Sequence, residues 1–290
     1  MKRVIGFFAI MLIAAGMAIA AGSTESTYER IIHSLDREGL VEIKSDSPSI
    51  VIVQTDSSDA KTIVLSGSGR NRFNLTVKES SGDLFVEVKR KKSWLFKVFQ
   101  QTQAELRVVL PTSWKTGSLK VGSVSGSIEI SSPLDCQDIE LATVSGSIQF
   151  KNLNTSANCE LKSVSGAIGG RSLYGDEVEI ETVSGSIEVD SIGLENRGTL
   201  DIHTISGRIG LPEFTGDTAA LSSVSGAVRA TIPADFSGRL VVKTVSGAIN
   251  ASLRDIDLES VDGRTRTYVK GKGNGLIEIS TTSGAIDMRD

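Results

Sequence analysis

From Leu119 onward apolar and polar residues alternate along the chain, and the alternation itself recurs. The peptide LATVSGSIQF at 141–150 has close copies in VGSVSGSIEI, LKSVSGAIGG, IETVSGSIEV, IHTISGRIG, LSSVSGAVRA, VKTVSGAIN and ISTTSGAIDM. Their glycines, Gly126, Gly146, Gly166, Gly185, Gly207, Gly226, Gly247 and Gly284, are separated by 20, 20, 19, 22, 19, 21 and 37 residues. Five before each glycine stand Val121, Leu141, Leu161, Ile180, Ile202, Leu221, Val242 and Ile279; two after stand Ile128, Ile148, Ile168, Ile187, Ile209, Val228, Ile249 and Ile286. Intervening positions such as Glu140, Glu160, Glu179, Glu129 and Glu188 are polar. An apolar residue at every second position predicts strands with one buried face.

The phase of the alternation changes inside the motif. The valine two before the glycine joins the register of the isoleucine two after it, so it is expected inside, with a bend or bulge between the two strands. The glycine then falls in the inward register, where lack of a Cβ permits close approach of a neighbouring chain. A third apolar mark follows at Leu134, Leu153, Leu173, Ile192, Phe214, Ile232 and Leu253, giving each unit about three sides. The step of 37 is expected to hide a degenerate copy, IDLESVDGRTRT, with Gly263 in the motif position. One such unit cannot bury its inward residues alone, whereas stacked copies make a continuous core, so a fixed period near 20 predicts an array. The expected fold is all-β: a parallel β-solenoid (β-helix) with about 20 residues per coil, in which nine coils at ~4.8 Å give a rod roughly 40 Å long. An antiparallel sandwich of hairpins also suits period-2 strands, but gives no reason for the constant period.

Three segments follow: 1–21 as a signal peptide, 22–111 as a strand-rich region that starts or caps the solenoid, and 112–290 as the repeats. In the second, LVEIKS, SIVIVQ, KTIVLSG, RFNLTVKE, DLFVEVKR and AELRVVLP read as strands between turn residues. Tyr28, Ile31, Ile32 and Leu35 match a short helical face, while Asp36-Arg37-Glu38-Gly39 reads equally as a turn. In the first, Lys2 and Arg3, an apolar run from Val4 to Met17, and Ala18-Ile19-Ala20 have the order of an export signal cleaved near Ala20 or Ala21; the alternative is a retained anchor. Its removal takes the net charge from −4 to about −6, a mild acidity that points away from nucleic acid.

An exported chain with a strand-rich lead-in ending at Val108 to Pro111, followed by serial T-V-S-G-x-I units and a closing GLIEISTTSGAIDM, resembles the bacterial β-strand-repeat "putative adhesin" domain family of unknown function. The resemblance covers roughly Gly39 to the end. It implies a β-solenoid and a location that is periplasmic, cell-surface or secreted, and it carries no catalytic residues to transfer.

Lys89 to Phe99 interleaves basic and bulky apolar residues. Lys91, Lys92, Trp94, Phe96 and Phe99 are candidates for contact with an anionic membrane or a partner; the alternative is a hairpin whose aromatics cover the first coil. The repeated Ser and Thr form columns of small hydroxyl residues, either a flat binding face or corner residues that bond local backbone. His33 and His203 are the only histidines, scattered carboxylates such as Asp176, Asp190 and Glu195 read as a solvated face, and no metal, cofactor or nucleophile motif is visible. The basic stretch Arg264, Arg266, Lys270 and Lys272 reads as a solvated loop. Cys136 and Cys159 lie in adjacent coils but three residues out of register, about 10 Å along a strand, so two free thiols are expected. The expected role is non-enzymatic binding or structure at the cell envelope, through adhesion or envelope sensing, with an envelope component, polysaccharide or membrane surface as partner. The alternatives are a carbohydrate-active enzyme on the same scaffold and a membrane-anchored regulator.

Overall fold

The computed structural model describes residues 27–56, 62–92 and 103–290. Among these, Arg70–Arg72 forms a three-residue 3-10 turn, and 25 strands join in one open, hydrogen-bonded sheet. The sheet is bent at corners, so that its inward side chains meet.

On the first side, the Ser118–Ser123 strand pairs parallel with Asp138–Thr143, which pairs with Asn158–Ser163 and so on through Glu177–Thr182, Thr199–Thr204 and Thr218–Ser223. The register sets like on like: Leu119 lies beside Ile139, Ile139 beside Cys159, and Cys159 beside Val178. A second side stacks Ile128, Ile148, Ile168, Ile187, Ile209 and Val228 in the same manner. A shorter third side stacks Leu134, Leu153, Leu173, Ile192 and Phe214. All of these residues are buried in one core. Burial repays ordering only in the stack, at roughly 1.5–3 kcal/mol for each fully buried aliphatic side chain.

At both ends the stacking departs from chain order. The strands Val41–Ser45 and Ser49–Thr55 lie beside Ser118–Ser123 and Ile128–Ile130, with Asp83–Arg90 and Gln103–Pro111 outside them. At the other end the last strands, Gly275–Thr281 and Ile286–Arg289, are inserted between Thr218–Thr231 and Gly238–Ser252. The connection that crosses the Gly238 end requires glycine. Gly271 has φ of +66°, and a Cβ on Gly273 would lie 2.2 Å from the Ser237 carbonyl oxygen.

Antiparallel strands finish each end. Phe73–Ser80 covers Asp83–Arg90, and Thr62–Ser68 covers Gln103–Pro111. At the far end Thr265–Lys270 runs against Gly238–Thr244, with Asp257–Asp262 outside it. The expected degenerate copy at Ile256 to Thr267 is therefore corrected: it is a hairpin, not a coil. Gly263 has φ of +57° and no atom within 4 Å of its added Cβ, as suits a hairpin tip, and Leu258 and Val261 are exposed.

The segment near Tyr28 is also settled. Tyr28–Ile31 is a strand antiparallel to Thr62–Ser68, while Gly39 N–H donates to the Asp36 carbonyl at 3.1 Å in a turn. Trp114 closes this region. It is 1% exposed, and its Nε1–H donates to the Gly39 carbonyl at 2.9 Å.

Candidate functional site

The motif is a corner with a divided chemistry. The Ser or Thr three before each glycine turns inward and is buried, and its hydroxyl oxygen accepts from the glycine N–H, as at Thr143 (3.1 Å), Ser163 (2.8 Å), Thr182 (3.1 Å) and Thr204 (3.0 Å). The same hydroxyl donates to the glycine carbonyl of the neighbouring strand, at 3.2 Å from Thr182 to Gly166 and from Thr204 to Gly185. This column is thus structural, consistent with corner residues that bond the backbone.

The glycines stack on one another so closely that a side chain has no room. A Cβ on Gly166 would lie 1.6 Å from the Gly146 carbonyl oxygen, and one on Gly226 1.5 Å from that of Gly207. The column continues through the inserted end strand, with Gly284 against Gly226 and Gly247 against Gly284. Only a residue without Cβ permits that contact.

The valine between them does not turn inward. Val124, Val144, Val164, Val183, Ile205, Val224 and Val245 are 37–55% exposed, which corrects the expected register. The chain changes phase by setting two consecutive residues outward, the valine and the following serine, rather than by a bulge. Their backbone groups are satisfied from strand to strand: Ser145 N–H donates to Val124 O at 3.0 Å, and Ser165 N–H to Val144 O at 2.9 Å. The result is a file of exposed Val and Ile side chains along one corner, beside a file of exposed serines, interrupted by the polar Thr282 at the inserted strand.

A groove of 560 Å³ runs along this ridge. It is lined by Val124, Val144, Val164 and Val183 and by the neighbouring row Lys44, Gly122, Ala142 and Lys162. Nothing lies within 4 Å of a Cβ added to Gly122, so the packing does not require a glycine there. Lys162 binds Glu160 at 2.6 Å and Glu179 at 3.2 Å, and those hydrogen bonds raise its pKa above the ordinary lysine value. Asp201, level with Glu179 on the next strand, is pushed upward by burial and by the Glu179 charge.

The other candidates fall elsewhere. Lys91 N–H donates to the Arg72 carbonyl at 2.8 Å, and Lys92 is exposed; Trp94, Phe96 and Phe99 lie outside the described residues, as does the export signal. His203 Nδ1 is 2.7 Å from Ser222 Oγ on the outer surface. In the basic stretch, Arg266 donates to the Ile249 carbonyl at 3.2 Å and Lys270 to the Ala234 carbonyl at 2.7 Å, so these two cations tie the end hairpin down rather than forming a free loop. Cys136 and Cys159 are buried free thiols. Among the described residues no cluster of three or more His, Cys, Asp or Glu could hold a metal, and no helix is long and apolar enough to cross a membrane. What sequence reasoning missed was the ridge; its signal, a β-branched residue directly before each Ser-Gly, was present but assigned to the wrong face.

The model of the family Toastrack DUF4097 matches residues 40–289. No curated protein matches. Among solved structures, a "putative adhesin" from Parabacteroides distasonis is 14% identical with a TM-score of 0.52, over 92% of this chain and 97% of that one. A "putative lipid binding protein" from the same organism is 15% identical with a TM-score of 0.46, over 92% and 97%. A "putative adhesin" from Bacteroides fragilis is 12% identical with a TM-score of 0.45, over 92% and 98%. At these identities the likeness concerns the fold.

Proposed function

The chain belongs to the Toastrack DUF4097 family, and from that premise we propose that it is an exported, non-enzymatic binding or structural module of the cell envelope, built as a parallel β-solenoid of about 20 residues per coil. Residues 1–21 act as the export signal, 22–111 begin and cap the stack, and 112–290 supply the repeating surface. The observation that carries the reading is the file of seven Val and Ile side chains held half-exposed on one corner. An apolar residue gains by burial, and the same corner accepts a polar residue, as Thr282 shows. Six of the apolar side chains, Val124 to Val224, follow one another at strand spacing in a ridge about 24 Å long, with Val245 beyond Thr282, a shape suited to docking along an extended partner.

The test uses the mature chain and Val144→Thr, Val164→Thr, Val183→Thr combined, which keeps the shape and removes the apolar surface. The variant should lose most of its retention on envelope fragments of the producing cell while its urea midpoint stays the same. Equal retention of both proteins would remove the ridge from the proposal. Mass spectrometry of the exported protein should find a new N-terminus at about residue 21 or 22; an intact Met1 would reject the cleaved signal.

A further inference from the structure

On the second side, away from the valine ridge, the outer surface holds a trough of 710 Å³ lined in part by Gly210. Gly210 lies between Glu188 and Arg229 in the ladder, at a position that points outward. The fold does not require this glycine. A Cβ there would meet Glu188 Cγ at 3.5 Å and the Ile187 carbonyl oxygen at 3.9 Å, both ordinary contacts, and the backbone is not left-handed. A glycine inside a strand weakens it relative to alanine, so the missing side chain does something other than stabilise. Its absence leaves the outer face bare between Glu188 and Arg229, and the trough there is lined also by Leu211, Ala230 and Met288 of the core.

The rim is charged and balanced. Three guanidinium groups, Arg208, Arg229 and Arg289, face three carboxylates, Glu188, Asp190 and Asp287. Two of the pairings are long, Arg208 to Glu188 at 3.7 Å and Arg229 to Asp287 at 3.6 Å, with all four side chains 39–62% exposed, while Asp287 Oδ1 also accepts from Asn250 Nδ2 at 2.7 Å and Arg289 Nε donates to Thr231 Oγ1 at 3.3 Å. The exposed faces of Arg208, Glu188 and Arg229 are within reach of a ligand. A polyanion would meet the carboxylates and a basic peptide the guanidiniums, each at a Coulombic cost. A hydroxyl group donates to one and accepts from the other. The trough crosses the strands of Glu188, Gly210, Arg229, Asp287 and Asn250, a run of about 19 Å at strand spacing. A second hollow of 570 Å³ at Gly169 and Gly170 shares Glu188 and Asp190 and lengthens the run. We propose that this furrow binds a neutral, hydroxyl-rich sugar chain, with Gly210 as the residue that admits it and the Arg and acid rim as its hydrogen-bond partners. The inference rests on the binding role proposed above and adds a ligand class at a separate site.

The test is calorimetric titration of the mature chain with neutral hexasaccharides of glucose, mannose, xylose and N-acetylglucosamine, and with a hexamer of galacturonic acid. At least one neutral hexamer should bind. Gly210→Gln, which fills the trough at an outward strand position, should weaken that binding at least tenfold with an unchanged or raised unfolding midpoint. Arg229→Gln should weaken it as well, which covers the case of a poorly folded Gly210 variant. Thr76→Gln, at an exposed position of Phe73–Ser80 at the other end, should bind as the unaltered chain does. The assignment is overturned if no neutral hexamer binds, if only the acidic one does, or if Gly210→Gln binds undiminished. Envelope retention measured in parallel separates the two readings, because a chain retained through its ridge that binds no sugar refutes the furrow alone.

Discussion

The middle of the molecule and its two ends obey different rules. From Ser118 to Ser223 each strand lies beside the copy next to it in the chain, and one glycine column runs through all of them. At the ends, Val41–Thr55 and Gly275–Arg289 each lie one strand inward, paired on both sides, and antiparallel strands close what remains. A parallel stack has no natural stopping point, and its open edge would accept another strand. Setting these two segments one strand inward gives both of their edges a partner. It also leaves hairpins, whose direction opposes the stack, to form the edge.

This contrast is broken most severely by removing the inserted strands. Truncation after Asn274 leaves Thr218–Ser223 and Gly238–Thr244 without the strand that joins them. Hydrogen exchange should show both segments losing the protection of their amides that face the removed strand, Thr218–Ser223 keeping only Thr199–Thr204 as partner and Gly238–Thr244 only Thr265–Lys270, while Asp138–Thr143 keeps its own. Unchanged protection of both segments would mean that the gap closes by itself.

Next in size is a single methyl group placed in the middle. Gly207→Ala sets a Cβ 1.7 Å from the Gly185 carbonyl oxygen, whereas Gly210→Ala, three residues away, meets only contacts of 3.5 Å and beyond. The first should cost on the order of 4 kcal/mol and the second nothing, or should stabilise by up to about 1 kcal/mol. Urea unfolding of the pair decides it, and similar midpoints would show that the stack yields at the motif.

The middle was the legible part. Period and inward register follow from the alternation, because identical residues stack on themselves and leave the same record in every copy. The ridge was misread because a two-residue outward corner and a bulge shift the alternation equally; Val144 joins the phase of Ile148 on paper, yet stands outside. The order at the ends was hidden for a different reason. TTSGAIDM fits against any other copy, so the motif carries no address, and only Gly271 and Gly273, which let the chain pass over Ser237, mark the crossing. The Gly210 trough left almost no trace, since one glycine among 29 is conspicuous only once the space around it is known.

A smaller effect separates packing from hydrogen bonding within one column. Thr182 is fully buried, and its hydroxyl both accepts from Gly185 N–H and donates to Gly166 O. Thr182→Val keeps the volume but strands both partners, at a cost of about 2 kcal/mol, while Thr182→Ser should be nearly neutral, since serine already fills this place at Ser163 and Ser223. A valine variant as stable as the serine variant would assign the column to packing alone.

The smallest effect tests whether the core of the middle admits charge. Burial, reinforced by Asp138 and Asp135, pushes the Cys136 thiol up to about 12, and burial pushes that of Cys159 upward as well. The sign follows from proton binding. Above the ordinary thiol value of about 8.5 the unfolded chain releases these protons and the folded chain holds them. Their contribution to stability is therefore fully present below that value and is lost progressively as pH rises from there toward about 12. At about pH 8.5 the loss is only a few tenths of a kcal/mol per thiol. Cys159→Val, which extends the run of Ile139 and Val178, should flatten part of this decline in urea titrations between about pH 8 and 9.5, and Cys136→Ala another part. Native protein should resist alkylation at both positions, and denatured, unreduced protein should label at both. Declines as steep in the variants as in the parent chain would place the thiols outside the sealed core, and labelling that requires a reductant would show them joined.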